Sequence, residues 1–156
     1  MTVTLEQDFH ESIGHWICMT SRMVERAMNA ELEPEGITFR QAQVLAWMAL
    51  DGGGLSQVEL AERMNIEPAT LVSVLDRMAR DGWIERVACQ EDRRRNLVHP
   101  MPKALPAWQK ILACAGRVRT RAAYGLTHEQ QETLKELLGI VQANLKCPAK
   151  DLAAKP

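Results

Sequence analysis

The sequence predicts a mainly helical protein with a small β-hairpin wing, a winged helix-turn-helix with further helices at both ends. Three observations carry that prediction. Two short amphipathic segments follow one another across a tight turn at Asn65-Ile66-Glu67. Two alternating segments, Trp83 to Val87 and Asn96 to His99, then bracket a polar loop from Cys89 to Arg95 that contains Glu91-Asp92-Arg93-Arg94-Arg95. A helix-start signal recurs at Thr4/Gln7, Thr38/Gln41, Ser56/Glu59 and Thr127/Gln130. In such a box the hydroxyl accepts from the third helical amide while the Gln or Glu side chain reaches back to the capping residue's own amide.

The first helix is expected from about Glu6 to Leu32. Ile13, Ile17, Val24, Ala27 and Met28 form an intermittent apolar face widened by Trp16, and Pro34 and Gly36 stop it. Such a helix is about 40 Å long at 1.5 Å per residue, more than a core of this size needs, so its surplus face is expected to meet another chain. Phe39 to about Leu50 forms the second helix, with Leu45 and Met48 inward, and Asp51-Gly52-Gly53-Gly54 turns the chain. Ser56 to Met64 is the third, carrying Val58, Leu60, Ala61 and Met64. Pro68 opens the fourth, because its missing amide donor is no loss in a first turn, and Leu71, Val74, Leu75 and Met78 line it until Gly82. The hairpin strands follow. From Lys103 a helix carries Leu105, Trp108, Ile111, Leu112, Ala115 and Val118 to Gly125, and the last, from Thr127, carries Leu134, Leu137, Leu138, Val141 and Leu145.

The expected domains are an N-terminal dimerisation helix over 1–36, the winged lobe over 37–101, dimerisation helices over 102–147 and a tail over 148–156. A chain of 156 residues, 46% hydrophobic and 25% charged, supports one compact domain with helical extensions. Nineteen Lys and Arg against 20 Asp and Glu leave a net charge of -1, which excludes a wholly basic architectural protein and leaves room for a local nucleic-acid footprint. No apolar run reaches the roughly 18 residues of a membrane span, and the first residues lack a secretory pattern, so a cytoplasmic protein is expected. Cys18, Cys89, Cys114 and Cys147 are widely spaced, with no zinc signature, and read as reduced thiols. His10, His15, His99 and His128 make no catalytic pair, and there is no phosphate loop, so neither an enzyme, a metal nor a cofactor is expected.

The chemistry of the winged lobe is geometric. The second helix of the pair offers its N-terminal residues to base edges in the major groove while the first fixes the approach across the backbone. The candidate DNA-contacting set is Ser56, Gln57, Pro68, Ala69, Thr70, Ser73, Arg77, Arg93, Arg94 and Arg95. Thr70 and Ser73 are small donors and acceptors, Arg77 is placed for a phosphate, and the arginine run suits phosphates and minor-groove insertion. Asp92 would repel DNA alone, and makes sense as the residue that positions an arginine, Arg94 being the natural choice. The competing class is a winged-helix module that binds another protein, and its mark would be an apolar patch over Thr70 and Ser73.

These residues resemble a known family. From Leu55-Ser56-Gln57-Val58-Glu59-Leu60-Ala61 through Gly82-Trp83-Ile84-Glu85-Arg86 to Asp92-Arg93-Arg94, the chain is similar to the MarR family of transcriptional regulators. Ile66-Glu67, Leu71-Val72, Leu75-Asp76 and Cys89 resemble its SlyA-like branch most. The resemblance implies an intertwined homodimer on a pseudopalindromic duplex, usually a repressor, and in many members release by small aromatic acids or phenolic compounds. Two departures stand out. Ser73 replaces the recognition-helix arginine of SlyA-like proteins, which removes a bidentate reader of guanine. Pro100-Met101 replaces a Leu-Thr pair, and Met101 has no side-chain oxygen to cap a helix.

A ligand cleft is expected where the dimer helices meet the DNA-binding lobe. Trp16 and Trp108 would supply flat apolar walls, with His15, Arg22 and Arg40 nearby and one cation for a carboxylate. Trp47 and Trp83 read as core or interface residues. Cys18 lacks the tyrosine partners that peroxide-sensing relatives use.

Overall fold

The computed structural model describes residues 11–52, 54–89 and 95–147. The chain divides into two compact units, residues 1–118 and 119–156. The first holds α1 (Ile13–Leu32), α2 (Phe39–Asp51), β1 (Leu55–Ser56), α3 (Gln57–Met64), α4 (Pro68–Arg80), β2 (Ile84–Ala88), β3 (Asn96–Pro100) and most of α5 (Leu105–Ala122); the second holds α6 (His128–Lys146). The architecture is a winged helix-turn-helix flanked by helices, as the sequence predicts.

Helix ends follow their caps. Thr38, Ser56 and Thr127 each form the reciprocal box, the hydroxyl accepting from the third amide and Gln41, Glu59 or Gln130 accepting from the capping residue's amide. The Thr4/Gln7 signal lies outside the described residues. α1 opens at Ile13 rather than near Glu6, because Ser12 is extended and its Oγ accepts from the His15 amide at 3.4 Å. Its 20 residues span about 30 Å, shorter than expected. Past Leu32 a single 3₁₀ turn, Glu33–Glu35, ends at Gly36 in the left-handed region. Asn65 takes the same conformation (φ 50°) to close α3, a position where a short polar side chain is tolerated.

The expected hairpin is formed by β2 and β3, and β1 adds a third strand, giving an antiparallel sheet in the order β1-β3-β2. Arg86 faces Val98 and Ala88 faces Asn96 across the hairpin, while Leu55 and Ser56 pair with Val98 and Leu97 on the other edge. A two-residue strand has no alternation to read in a sequence, which is why β1 escaped notice. Its entry depends on Gly54, with φ 74°, whose amide donates to the Val98 carbonyl at 3.2 Å. A side chain there would start 3.2 Å from the His99 ring.

One core runs through the first unit. Leu32, Val44, Met48, Leu60, Leu71, Leu75, Met78, Val98 and Cys114 are fully buried, and Met28 and Met64 nearly so. Trp47, Trp83 and Trp108 are half-buried against this core, whereas Trp16 is 58% exposed. The apolar faces expected on the terminal helices are only partly used within the chain. Leu105 and Leu112 are exposed, no residue of α6 is buried, and Leu134, Leu137, Ile140 and Leu145 face solvent. α5 meets the C-terminal end of α1 and the turn after it. Arg117 pairs with Glu31 at 2.6 Å, Lys110 pairs with Glu35 at 2.8 Å, and the Cys114 thiol donates to the Glu31 carbonyl at 3.2 Å.

Leu71→Ala should lower the unfolding free energy by about 2–5 kcal/mol in urea titration, the usual range for deleting a fully buried leucine. A loss below about 1 kcal/mol would mean that the inner face of α4 is not packed as described.

Candidate nucleic-acid interface

α4 owes its two faces to helical spacing. Leu71, Leu75 and Met78 turn into the core, so Pro68, Ala69, Thr70, Ser73 and Arg77 fall on the exposed side. The Ser73 hydroxyl donates weakly to the Thr70 carbonyl at 3.5 Å, and Arg77 makes no ion pair among the described residues. Thr70, Ser73 and Arg77 make this face polar beyond its first turn, where Pro68 and Ala69 are exposed, and Val72 is exposed beside Ser73.

Gln57 and Ser56 hold the first helix of the pair. The Gln57 Nε2 donates to the Pro68 carbonyl at 3.4 Å, linking the starts of α3 and α4. Ser56 is only 4% exposed, and its Oγ accepts from the Glu59 amide and from Arg95 Nη2. The sequence placed Ser56 among the DNA contacts; its side chain is turned into the protein.

Asp92, Arg93 and Arg94 lie outside the described residues. Arg95 sits at the foot of their loop, where its carbonyl accepts from the Cys89 amide at 2.8 Å. Its guanidinium pairs with Glu59 at 2.9 Å and reaches Ser56 Oγ at 3.3 Å. Hydrogen bonds from the Ser56 side chain and amide, then Arg95, hold the Glu59 carboxyl at about 2 against its usual 4.5. Three features here were not read from the sequence. Glu59 was visible as a capping residue, but its pairing with an arginine 36 positions later was not. Arg86 pairs with Asp76 across α4 and β2 at 2.7 Å, and Arg63 pairs with Asp51 at 2.8 Å. No periodicity signals such long-range pairs.

The five residues expected to line a ligand cleft are not gathered within one chain. Lys110–Glu35 and Arg117–Glu31 hold α5 against the last turn of α1 and the 3₁₀ turn after it, and Trp108 is within one helical turn of Lys110. Trp16, beside His15 with ring centroids 6.2 Å apart, lies fifteen residues before Glu31, about 22 Å along the axis of α1. Arg22 is exposed on α1, and Arg40 donates to Gln43 at 2.9 Å in the first turn of α2. An open cleft of about 550 Å³ does exist at the α1–α2 junction, lined by Asn29, Ala30, Glu33, Gly36, Ile37 and Thr38. None of the five is in its wall, and Arg40 comes closest in the chain. Among the described residues no group of three or more His, Cys, Asp or Glu is placed to hold a metal ion, and no helix is long and apolar enough to cross a membrane.

Comparison with known proteins bears on this geometry. The family profile described as MarR family matches residues 35–95, from the 3₁₀ turn after α1 to the residue before β3. The transcriptional regulator PA3341 is 29% identical with a TM-score of 0.78, over 85% of this chain and 97% of that one. A cysteine-to-serine mutant of MarR from E. coli, solved in complex with operator DNA, is 27% identical with a TM-score of 0.75, over 87% and 99%. CouR from Rhodococcus jostii RHA1, solved with p-coumaroyl-CoA, shares the fold at 22% identity and a TM-score of 0.74, over 87% and 95%. The chain has the fold of MarR-family transcriptional regulators.

The depressed Glu59 carboxyl fixes a pH dependence. A group whose folded pKa lies below its unfolded value contributes stability that is fully present above about 4.5 and is lost as pH falls through about 2. Glu59→Gln keeps a side chain suited to the capping box but removes the charge. The stability advantage of the wild type over this variant should therefore be constant above about pH 5 and shrink steadily below it, as read by denaturant titration from pH 7 to 2.5. An advantage that grows on acidification would contradict the pairing.

Proposed function

We propose that this chain, with the fold of MarR-family transcriptional regulators, is a homodimeric regulator that binds specific double-stranded DNA at a pseudopalindromic site, a repressor relieved by a small aromatic or phenolic ligand. The observation that carries the reading is the outer face of α4. Ala69, Thr70, Ser73 and Arg77 stand exposed on a helix whose opposite side is locked into the core, beside the foot of an arginine-bearing wing. Thr70 and Ser73 address base edges, Arg77 a phosphate, and Arg93 and Arg94 the phosphates or minor groove alongside. The operator-bound MarR of E. coli, similar over 87% of this chain, supports the DNA partner. Within the family the motifs around Ile66-Glu67 and Leu75-Asp76 support the SlyA-like branch, and such a repressor works in the cytoplasm, on the nucleoid.

The dimer is supported by apolar surface that the chain leaves open. Ile13, Trp16 and Met23 on α1 and Leu137, Ile140 and Leu145 on α6 are all exposed, and a two-fold contact between copies would cover them. In this arrangement residues 1–36 and 102–147 join the copies and 37–101 reads DNA. Two recognition helices must sit about 34–36 Å apart to meet successive major grooves, so a modest rotation of the lobes releases both. A ligand drives that rotation only by binding the released form more tightly. In this arrangement Trp16, His15 and Arg22 of one copy share an aromatic acid with Trp108 and Arg40 across the dimer interface. The ligand bound to CouR supports an aromatic effector.

The test is enrichment of duplex fragments from genomic DNA, followed by titration of salicylate-like acids against the best fragment. Selective binding abolished by an acid is the expected result; a folded protein that enriches no duplex overturns the reading in favour of a protein-binding module. Sedimentation equilibrium should give about 35 kDa, twice the 17.5 kDa chain. Arg77→Ala should weaken binding to all sequences alike and reduce the slope of log K against log salt by about 0.9, one phosphate contact.

A further inference from the structure

We infer that Arg95 is a positioning residue, which clamps the foot of the wing to the cap of α3 and makes no contact with phosphate; the inference rests on the DNA-binding reading above. Arg95 is held at both ends. Its carbonyl accepts from the Cys89 amide at 2.8 Å, which ties the end of β2 to the residue before β3. Its Nη2 bridges Glu59 Oε1 at 2.9 Å and Ser56 Oγ at 3.3 Å. Ser56 is itself fixed, since it pairs with Leu97 two residues beyond Arg95 and shares the capping box with Glu59. Strand pairing and side-chain clamp thus close a small circuit through β1, α3 and β3.

The charge balance agrees with the geometry. A guanidinium paired with a carboxylate at this distance is already neutralised, so bringing DNA near it displaces few counterions. A charge-assisted hydrogen bond to a partly covered carboxylate is also stronger than a neutral one, which suits a residue that must hold a loop in place.

The experiment compares wild type, Arg95→Ala, Glu59→Gln and the double variant on the enriched duplex across a salt series, and follows exchange of the Cys89 amide without DNA. Arg95→Ala is expected to weaken binding about tenfold, the scale of one charge-assisted hydrogen bond, with the salt slope unchanged. Glu59→Gln should weaken binding in the same direction, and the double variant should be no worse than Arg95→Ala alone, as for two members of one contact. The Cys89 amide should exchange faster in Arg95→Ala. A slope lowered by about 0.9 in Arg95→Ala, or tighter binding by Glu59→Gln through a released cation, would overturn the inference. So would unchanged Cys89 exchange. If the wild type enriches no duplex, the DNA reading fails by itself, and the exchange measurement still decides whether the clamp exists.

Discussion

Ser56 is the point on which the winged lobe depends. This one residue ends β1, caps α3 and receives the guanidinium of Arg95. The constraint is one of hydrogen bonding: a helix start buried beside a sheet must satisfy its own amides locally, since water does not reach them. The Ser56 hydroxyl and the Glu59 carboxylate do this reciprocally, and in doing so they fix where the first helix of the pair begins relative to the central strand β3. The turn at Asn65 then fixes α4 against α3, and the core leucines of α4 fix which of its faces is outward.

The lobe treats its arginines unequally. Arg63, Arg86 and Arg95 are each paired with a carboxylate within 3 Å, whereas Arg77 is left without one among the described residues. Paired arginines brace the scaffold, and a nearly neutral chain keeps little general attraction for polyanions. Selectivity in such a lobe comes from a few placed groups, because a weak background field gives wrong sequences little affinity to begin with.

Much of this was legible in the residues. The capping boxes at Thr38, Ser56 and Thr127, the turn at Asn65, Pro68 at the head of α4 and the spacing of Leu71, Leu75 and Met78 are local signals, and local signals survive in a sequence. What was not legible is long-range. β1 is two residues long and is defined by its partner on β3. Arg95 is one of three adjacent arginines that look alike until the fold brings Glu59 to one of them. Trp16 and Trp108 both belong to terminal helices, yet α5 meets only the far end of α1, about four turns from Trp16. The start of α1 moved because Ser12, with no Glu or Gln three residues on, caps without completing a box.

The buried methionines have a consequence of their own. Met48 from α2, Met64 from α3 and Met78 from α4 are all buried in the one core on which α4 is seated. Unbranched thioether chains fill uneven gaps and repack at low cost, where branched side chains would jam. A helix seated on such material accepts small changes of tilt when its outer residues are exchanged. Over evolutionary time the outer face of α4 is therefore free to drift, with Ser73 as one outcome, while the support beneath it adjusts without a matching series of core substitutions.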